Sequence, residues 1–404
     1  MYRLYFYPLF ALPFFLGSLS GFRQEVIHEH HEEQLLLHHL NHSGLLHKME
    51  VARTLRIYIK KDLWTPGFGD EVFYEGAMYV GPPLNLSKCE LSPDLYPIKD
   101  WLRLHTEYHV HEYVYLRLKN DFTVVPSAKE ADICFGGCDE ANEIVPAMTN
   151  QAPVFLVPQG KETSIFSCSK LDFGIEFDGV KGIDYTCHVA APYVLSIYSP
   201  NASAVAPWNL PLTRRTLLGY YGGLQRGFRR GEIVHEMMNY SALHYHEIGD
   251  QHFATYFSAP REVYNRTNDH SEDSFFAEAW NLYAHSYFSW QPAGDTPTRR
   301  AFYDSWLFGC IPVVSGKPAW FYNLLFKSQL FSGPHFAFDD IAVVLPWDLP
   351  EDGASILQYL SKIPLQEIRT RQSKLRSIAP LMQWGWKTKH NIDPFLLFLA
   401  TSMK

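Results

Sequence analysis

The stretch Gln291-Pro292-Ala293-Gly294-Asp295-Thr296-Pro297-Thr298-Arg299-Arg300-Ala301-Phe302-Tyr303-Asp304-Ser305-Trp306-Leu307-Phe308-Gly309-Cys310-Ile311-Pro312-Val313-Val314 reads as turn, helix, glycine stop and strand. It follows directly on the β-rich run Tyr287-Phe288-Ser289-Trp290. Thr296 has the chemistry of a helix cap, Pro297 suits a first helical position, and Gly309 suits the residue that ends a helix. The apolar run Ile311 to Val314 then reads as a buried strand. Strand, helix, strand in that order is the repeating unit of a parallel sheet, which places the opening of the helix at the sheet's carboxyl edge.

That opening has the composition of an anion site. Gly294 supplies flexibility, the first helical N–H groups lack intrahelical partners, and Arg299 and Arg300 bring two guanidinium forks. Dipole, amides and guanidinium groups attract the same ligand, and a diphosphate fits them. Asp304 lies four residues after Arg300 on one helical face, where it is a candidate to accept hydrogen bonds from a ribose. The competing reading is an Arg300–Asp304 surface ion pair worth about 0.3–0.5 kcal/mol.

Outward from this segment, β-rich runs recur at Thr216–Tyr221, Leu243–Tyr245 and Ile341–Val344. An earlier series comprises Arg56–Lys60, Ala131–Phe135 and Val154–Val157, with a helical stretch over Tyr108–Lys119 between the first two. The fold class expected is α/β with parallel sheets in two Rossmann-like halves. Ala206-Pro207-Trp208-Asn209 interrupts the pattern, giving an N-terminal domain over 55–206 and a C-terminal domain over 207–404.

Residues 4–22 contain no charge and lie between Arg3 and Arg23, just long enough to span a bilayer. The expectation is a signal anchor over 1–23, with a cleaved signal peptide as the close rival. Residues 24–54, rich in His, Glu and Leu, are expected to form a helical stem; a metal-binding tract is the less favoured reading. Sequons at Asn41, Asn85, Asn201, Asn239 and Asn265 agree with a luminal address. The six cysteines match no zinc framework, and one or two disulfides are expected, with Cys168–Cys187 the favoured pair. A formal net charge of −8 supplies no basic field for nucleic acid.

The 291–314 stretch resembles the signature of the exostosin-like glycosyltransferases (family 47), particularly their plant xyloglucan galactosyltransferase branch, through Gln291, Pro292, Gly294, Asp295, Thr298, Arg299, Arg300, Asp304 and Gly309 to Val313. Weaker similarity runs through Thr106–Asp132, Tyr193–Trp208, and Arg214–Leu218 with Gly222-Gly223 and Arg226–Arg230. Ala301 departs from the broader pattern. The Asp-His-Phe/Gly-Arg block of the family has no evident counterpart between Phe135 and Val154.

The resemblance implies a GT-B fold, a UDP-sugar donor carrying galactose, xylose, arabinose or glucuronate, and inversion at the anomeric carbon. It also implies a polysaccharide or glycoprotein glycan acceptor and a type II Golgi membrane protein. Gly294, Asp295, Thr296, Thr298, Arg299, Arg300 and Asp304 are the donor-site candidates. Gly222, Gly223, Arg226 and Arg229 form a candidate second phosphate clamp. Arg300 is expected to act on the leaving group without a metal ion or other cofactor. Glu112, Asp132, Asp184 and His188 are candidates for the base, with Glu112 and Asp184 preferred. A homo- or hetero-oligomer fits the same reading. The rivals are a catalytically inactive glycan- or nucleotide-binding relative and an assembly subunit of a glycosyltransferase complex.

Overall fold

Two six-stranded sheets organise the computed structural model of this chain. The structure describes residues 44–59, 121–135, 216–222, 229–243, 271–293, 299–316 and 337–382, with shorter pieces at 40–41, 95, 102–103, 138, 154–156, 170–174, 188–190, 197–198, 207–210, 212, 214, 246–248, 251–258, 319, 322 and 394–403. The first sheet uses β1 (Arg56–Ile59), β3 (Thr123–Val124), β4 (Ile133–Phe135), β5 (Val154–Leu156), β6 (Lys170–Gly174) and β7 (His188–Ala190) in the order β3-β1-β4-β5-β6-β7. A two-stranded ribbon joins β2 (Leu102–Arg103) to β8 (Ile197–Tyr198).

The first sheet departs from the expected parallel arrangement. Strands β3, β1 and β4 run parallel, but β5 is antiparallel to both β4 and β6. The runs that suggested strands were right in place, but periodicity carries no information on direction. At the end of β4 the structure joins Cys134 to Cys138, with Cα atoms 5.3 Å apart. This is a different pair from the one favoured on the sequence; Cys168 and Cys187 lie outside the described residues.

The second sheet is doubly wound. Its strands are β9 (Thr216–Tyr221), β10 (His246–Ile248), β11 (Gln251–Ser258), β12 (Ser286–Trp290), β13 (Ile311–Val314) and β14 (Val343–Val344), in the order β10-β11-β9-β12-β13-β14. All pairs are parallel except β10 with β11. Of the expected strand at Leu243–Tyr245, Leu243 is the last residue of helix α2 and residues 244–245 lie outside the described residues. Helices α1 (Leu45–Arg53), α2 (Arg230–Leu243), α3 (Ser271–His285) and α4 (Arg300–Leu307) precede α5 (Gly353–Ser361), α6 (Leu365–Met382) and α7 (Pro394–Ser402). Pro312 fits inside β13 because its missing N–H faces β14, whose ladder begins only at Val313.

Close packing sets these elements at fixed distances. A Cβ on Gly219 would strike Leu282 and Ser286, so β9 and α3 approach as only glycine allows. A Cβ on Gly353 would strike the backbone of α2 at Ile233 and Met237, which brings α5 equally close. The described end of the expected stem, 44–54, packs into the fold: Met49 and Ala52 of α1 are buried, and Lys48 donates to the Met403 carbonyl at 2.8 Å. Helix α7 is apolar all round and buried accordingly, with Phe395 edge-on to Phe122 at 5.8 Å. No helix among the described residues is long and apolar enough to cross a membrane, and the expected anchor at 1–23 lies outside them.

Arg214 ties the lower edge of the second sheet together. Its Nη1 donates to the carbonyls of Tyr283, Ala284 and Ser286 at 2.5, 2.7 and 2.9 Å, and its Nη2 donates to that of Phe308. Replacing it with Met removes the donors from several enclosed acceptors, each costing about 1–3 kcal/mol. Urea unfolding of Arg214→Met should therefore show a loss on the order of 3–5 kcal/mol, with Arg214→Lys intermediate. Equal midpoints for wild type and Arg214→Met would contradict this role.

Candidate functional site

The site is built where the winding direction of the second sheet reverses. From β9 the chain passes through α2 to β11 on one side, then through α3 to β12 on the other. The crevice between the carboxyl ends of β9 and β12 is the place where such sheets bind ligands. Tyr221 ends β9 and Gly222 follows it, and Gln291, just past β12, lies beside Tyr221, two residues beyond the Ser289–Gly219 register pair.

Arg299 reaches into this crevice from the far side of the turn. Its Nη2 donates to the Tyr221 carbonyl at 3.0 Å, and its guanidinium carbon stands 5.7 Å from the centre of the Tyr220 ring. Nη1 is buried and has no hydrogen-bond partner. A guanidinium placed at a switch point with one nitrogen unsatisfied is complementary to an anionic oxygen. Gly222 is required beside it, since a Cβ there would strike Nη2 and lie 2.8 Å from the Tyr220 hydroxyl.

The helix after the turn starts later than expected. Arg299, in extended conformation, is the N-cap of α4, and Arg300 is the first helical residue. Thr296 is therefore not the cap. The cap's own backbone N–H is held by the buried Tyr322 hydroxyl at 2.7 Å, and the Tyr322 ring stacks on Phe302 at 3.8 Å. A residue distant in sequence thus fixes the start of the helix. Gly309, at φ 63°, ends α4 as expected: its N–H bonds to Trp306 and that of Cys310 to Ser305, the paired bonds of a Schellman motif.

Other predicted residues separate in the structure. Asp304 is only 8% exposed, and both it and Arg299 act electrostatically on the Tyr283 hydroxyl. Burial is the main cause that raises the Tyr283 hydroxyl far above its ordinary value, with Arg299 opposing and Asp304 reinforcing it. Asp304 is therefore enclosed, and the side chain of Arg300, its partner in the expected ion pair, lies outside the described residues. Arg229, a candidate phosphate clamp on the sequence, is engaged by carboxylates. It lies at φ 56° and pairs with Glu232 at 2.9 Å and Glu236 at 3.7 Å, while Glu236 accepts from the Gly353 N–H that opens α5. Glu236 is thus the residue that fastens α2 to α5, and Arg229 pairs with it from the start of α2.

Asp132 is bound by Arg56 through Nε, Nη2 and the backbone N–H at 2.9–3.1 Å, at the amino end of β4 and away from the carboxyl edge. That removes it from the candidate bases. His188 begins β7. Glu112, Asp184, Gly223, Arg226, Gly294, Asp295, Thr296 and Thr298 lie outside the described residues, as does the side chain of Arg300. Among the described residues no cluster of His, Cys, Asp or Glu has the grouping of a metal site.

Two residues not assigned on the sequence lie along the same carboxyl edge. Gln291, 1% exposed, donates from Nε2 to the Ser289 hydroxyl at 2.6 Å and to the Ala301 carbonyl at 3.2 Å, tying β12 to the first turn of α4. Its Oε1 is buried without a partner. Arg230, 3% exposed, opens α2 and donates to the Ala293 carbonyl beyond β12. Arg230 also lines a cavity of ≈ 240 Å³ along the same edge, with Trp290, Ser315, Leu345, Trp347 and Glu351 among its walls. Ile233, Val234 and Met237 at helical spacing after Arg230 were the signal that this arginine begins a packed helix.

Arg299 and Arg230 thus lie at the carboxyl edge of a doubly wound sheet, the edge at which such sheets bind ligands. Compared with known proteins, the chain is 32% identical over 100 residues to a probable xyloglucan galactosyltransferase, GT19, of Arabidopsis thaliana. The match takes in 24% of this chain and 22% of the relative's length. No protein-family profile matches the chain. The similarity supports a glycosyltransferase relationship at this coarse level.

Gly222→Ala should displace Arg299 through the added Cβ and lower affinity for UDP at least roughly tenfold, the scale of one charge-assisted contact. Arg229→Ala should lower the melting temperature slightly and leave UDP affinity unchanged. Calorimetric titration of both variants checks this. Reversal of the two outcomes would return Arg229 to the ligand and make Gly222 a structural turn.

Proposed function

We propose that the chain is an inverting glycosyltransferase that takes a sugar from a UDP-sugar and places it on a polysaccharide or glycoprotein glycan. The observation that carries the reading is Arg299, held at the switch point between β9 and β12 with Nη1 unsatisfied. The similarity to a probable galactosyltransferase supports transfer as the reaction. In this reading the two sheets form the cores of a GT-B enzyme whose acceptor side is the first of them. A luminal Golgi location with an N-terminal anchor completes the proposal, and the Cys134–Cys138 disulfide agrees with an oxidising compartment.

The reaction places its electrostatic demand on the leaving group. An acceptor hydroxyl oxygen bonds to the anomeric carbon as the bond from that carbon to the β-phosphate oxygen breaks. The bond's electron pair remains on UDP, and a base takes the hydroxyl proton. Arg299 meets the growing phosphate charge from a position that Tyr221, Tyr220 and Gly222 fix beforehand, so little reorganisation is needed. Arg300, at the first position of α4, is assigned to the same diphosphate. Gln291 holds that helical turn against β12. Glu112 and Asp184 remain the proposed candidates for the base.

Arg299→Ala should lower transfer by roughly two to three powers of ten, by analogy with losing one preorganised donor. Arg299→Lys should recover only part, because an ammonium lacks the planar fork. UDP release from a panel of UDP-sugars and glycan acceptors provides the assay. EDTA should leave the rate largely intact, since guanidinium groups neutralise the diphosphate. Full activity in Arg299→Ala, or loss with EDTA that Mn²⁺ restores, would defeat the proposed leaving-group chemistry.

A further inference from the structure

The amino edge of the second sheet, opposite the crevice, gathers positive charge. Arg214 sits there, bound to the carbonyls at the ends of α3 and α4. Helix α6 passes the same corner: Gln372 donates from Nε2 to the Gly309 carbonyl at 3.0 Å, and a Cβ on Gly309 would stand 3.2 Å from Arg214 Nη2. Arg369 lies one turn before Gln372 and Arg376 one turn after it, so the helical repeat puts the three on one stripe of α6. The charges on that stripe are felt at the corner. Burial is the main cause that raises the Tyr287 hydroxyl at the start of β12, with Arg214 and Arg369 opposing it. Burial is likewise the main cause that holds Arg214 below its ordinary value, with Arg376 reinforcing it.

The ion pairs of α6 lie on its other flank. Arg371 pairs with Glu367 at 2.8 Å, and Lys374 with Asp340 at 2.6 Å. Among the described residues neither the exposed Arg369 nor the half-buried Arg376 has a carboxylate partner. The helix ends do not balance the corner either. Each helix carboxyl end carries about half a negative charge, so α3 and α4 together offset roughly one of the three guanidinium groups. An anion from outside the fold would supply the rest. Arg369 and Arg376 start about 10 Å apart along the helix, which suits charges repeated along an extended chain better than a single small ion. A net charge of −8 gives no wider basic field for a nucleic acid, so the patch fits a polymer of sparser charge.

We infer that this corner is an exosite for an acidic polysaccharide, whose uronate carboxylates pair with Arg369 and Arg376. The choice of a glycan rests on the transferase reading proposed above. The exosite is separate from the Arg299 crevice, which lies at the other edge of the sheet. A polymer held there through a part that is not reacting has its reactive end kept at high local concentration.

Calorimetric titration of the full chain at low salt with a galacturonate hexamer, its methyl ester and UDP provides the test. Wild type should bind the acid and not the ester, with an affinity that falls as salt is added. Arg369→Gln and Arg376→Gln should each weaken the acid hexamer roughly two- to fivefold, the range for an exposed charge pair, and the double variant up to about twentyfold. UDP affinity should stay unchanged in all three. Each variant should melt no lower than wild type, since it removes one of three like charges. An unchanged hexamer affinity in the double variant would overturn the inference, and a lowered melting temperature beside it would make the arginines partners of the helix ends. Equal binding of acid and ester would also overturn it, as would arginine-dependent binding of phosphatidylserine vesicles without binding of the hexamer. A wild-type chain that binds UDP but not the hexamer would overturn the exosite and leave the donor reading standing. Arginine-dependent binding of the hexamer without binding of UDP would do the reverse.

Discussion

A single guanidinium, with no carboxylate partner among the described residues, sets the frame of the second sheet. Arg214 gathers the carbonyls that end α3 and α4 together with the one that begins β12. Helix carboxyl ends carry partial negative charge, so a cation there is stabilised by two helices at once. Burial lowers the Arg214 pKa to about 10, which still leaves it charged at neutral pH. The nearby Cys310 thiol is pushed up to about 12 by burial and stays neutral, so it does not discharge the arginine. Gly309 leaves room for this arrangement: a Cβ there would stand 3.2 Å from Arg214 Nη2.

That lower-edge constraint has its consequence at the upper edge. Where α3 and α4 stop determines where β12 and β13 start, and parallel register then aligns Gln291 with Tyr221 and brings Arg299 back over β9. Close packing at Gly219 holds α3 against β9, and close packing at Gly353 holds α5 against α2, so the elements that carry the carboxyl edge are fixed before any ligand arrives. Preorganisation of this kind is what electrostatic stabilisation of a leaving group requires.

Much of the second sheet was legible in the sequence because its signals are local. Thr216–Tyr221 and Ile311–Val314 are apolar runs bounded by turn residues, and Gly309 is placed as a helix stop by its backbone freedom alone. Strand direction in the first sheet was not legible, since the apolar run Val154–Leu156 of β5 reads as a strand whichever way it runs. The start of α4 was misplaced for a related reason. Tyr322, more than twenty residues away, holds the cap that Thr296 was expected to provide. Arg229 and Arg230 illustrate the same limit: adjacent arginines of identical chemistry divide into an exposed ion pair and a buried cavity wall, and only tertiary packing separates them.

The central claim is that the crevice between β9 and β12 holds a diphosphate against Arg299. A crystal structure of the chain with UDP tests it most directly. The account predicts a phosphate oxygen within hydrogen-bond distance of Arg299 Nη1, beside Gly222. UDP bound elsewhere on the chain, with Arg299 Nη1 still facing only protein, would contradict it.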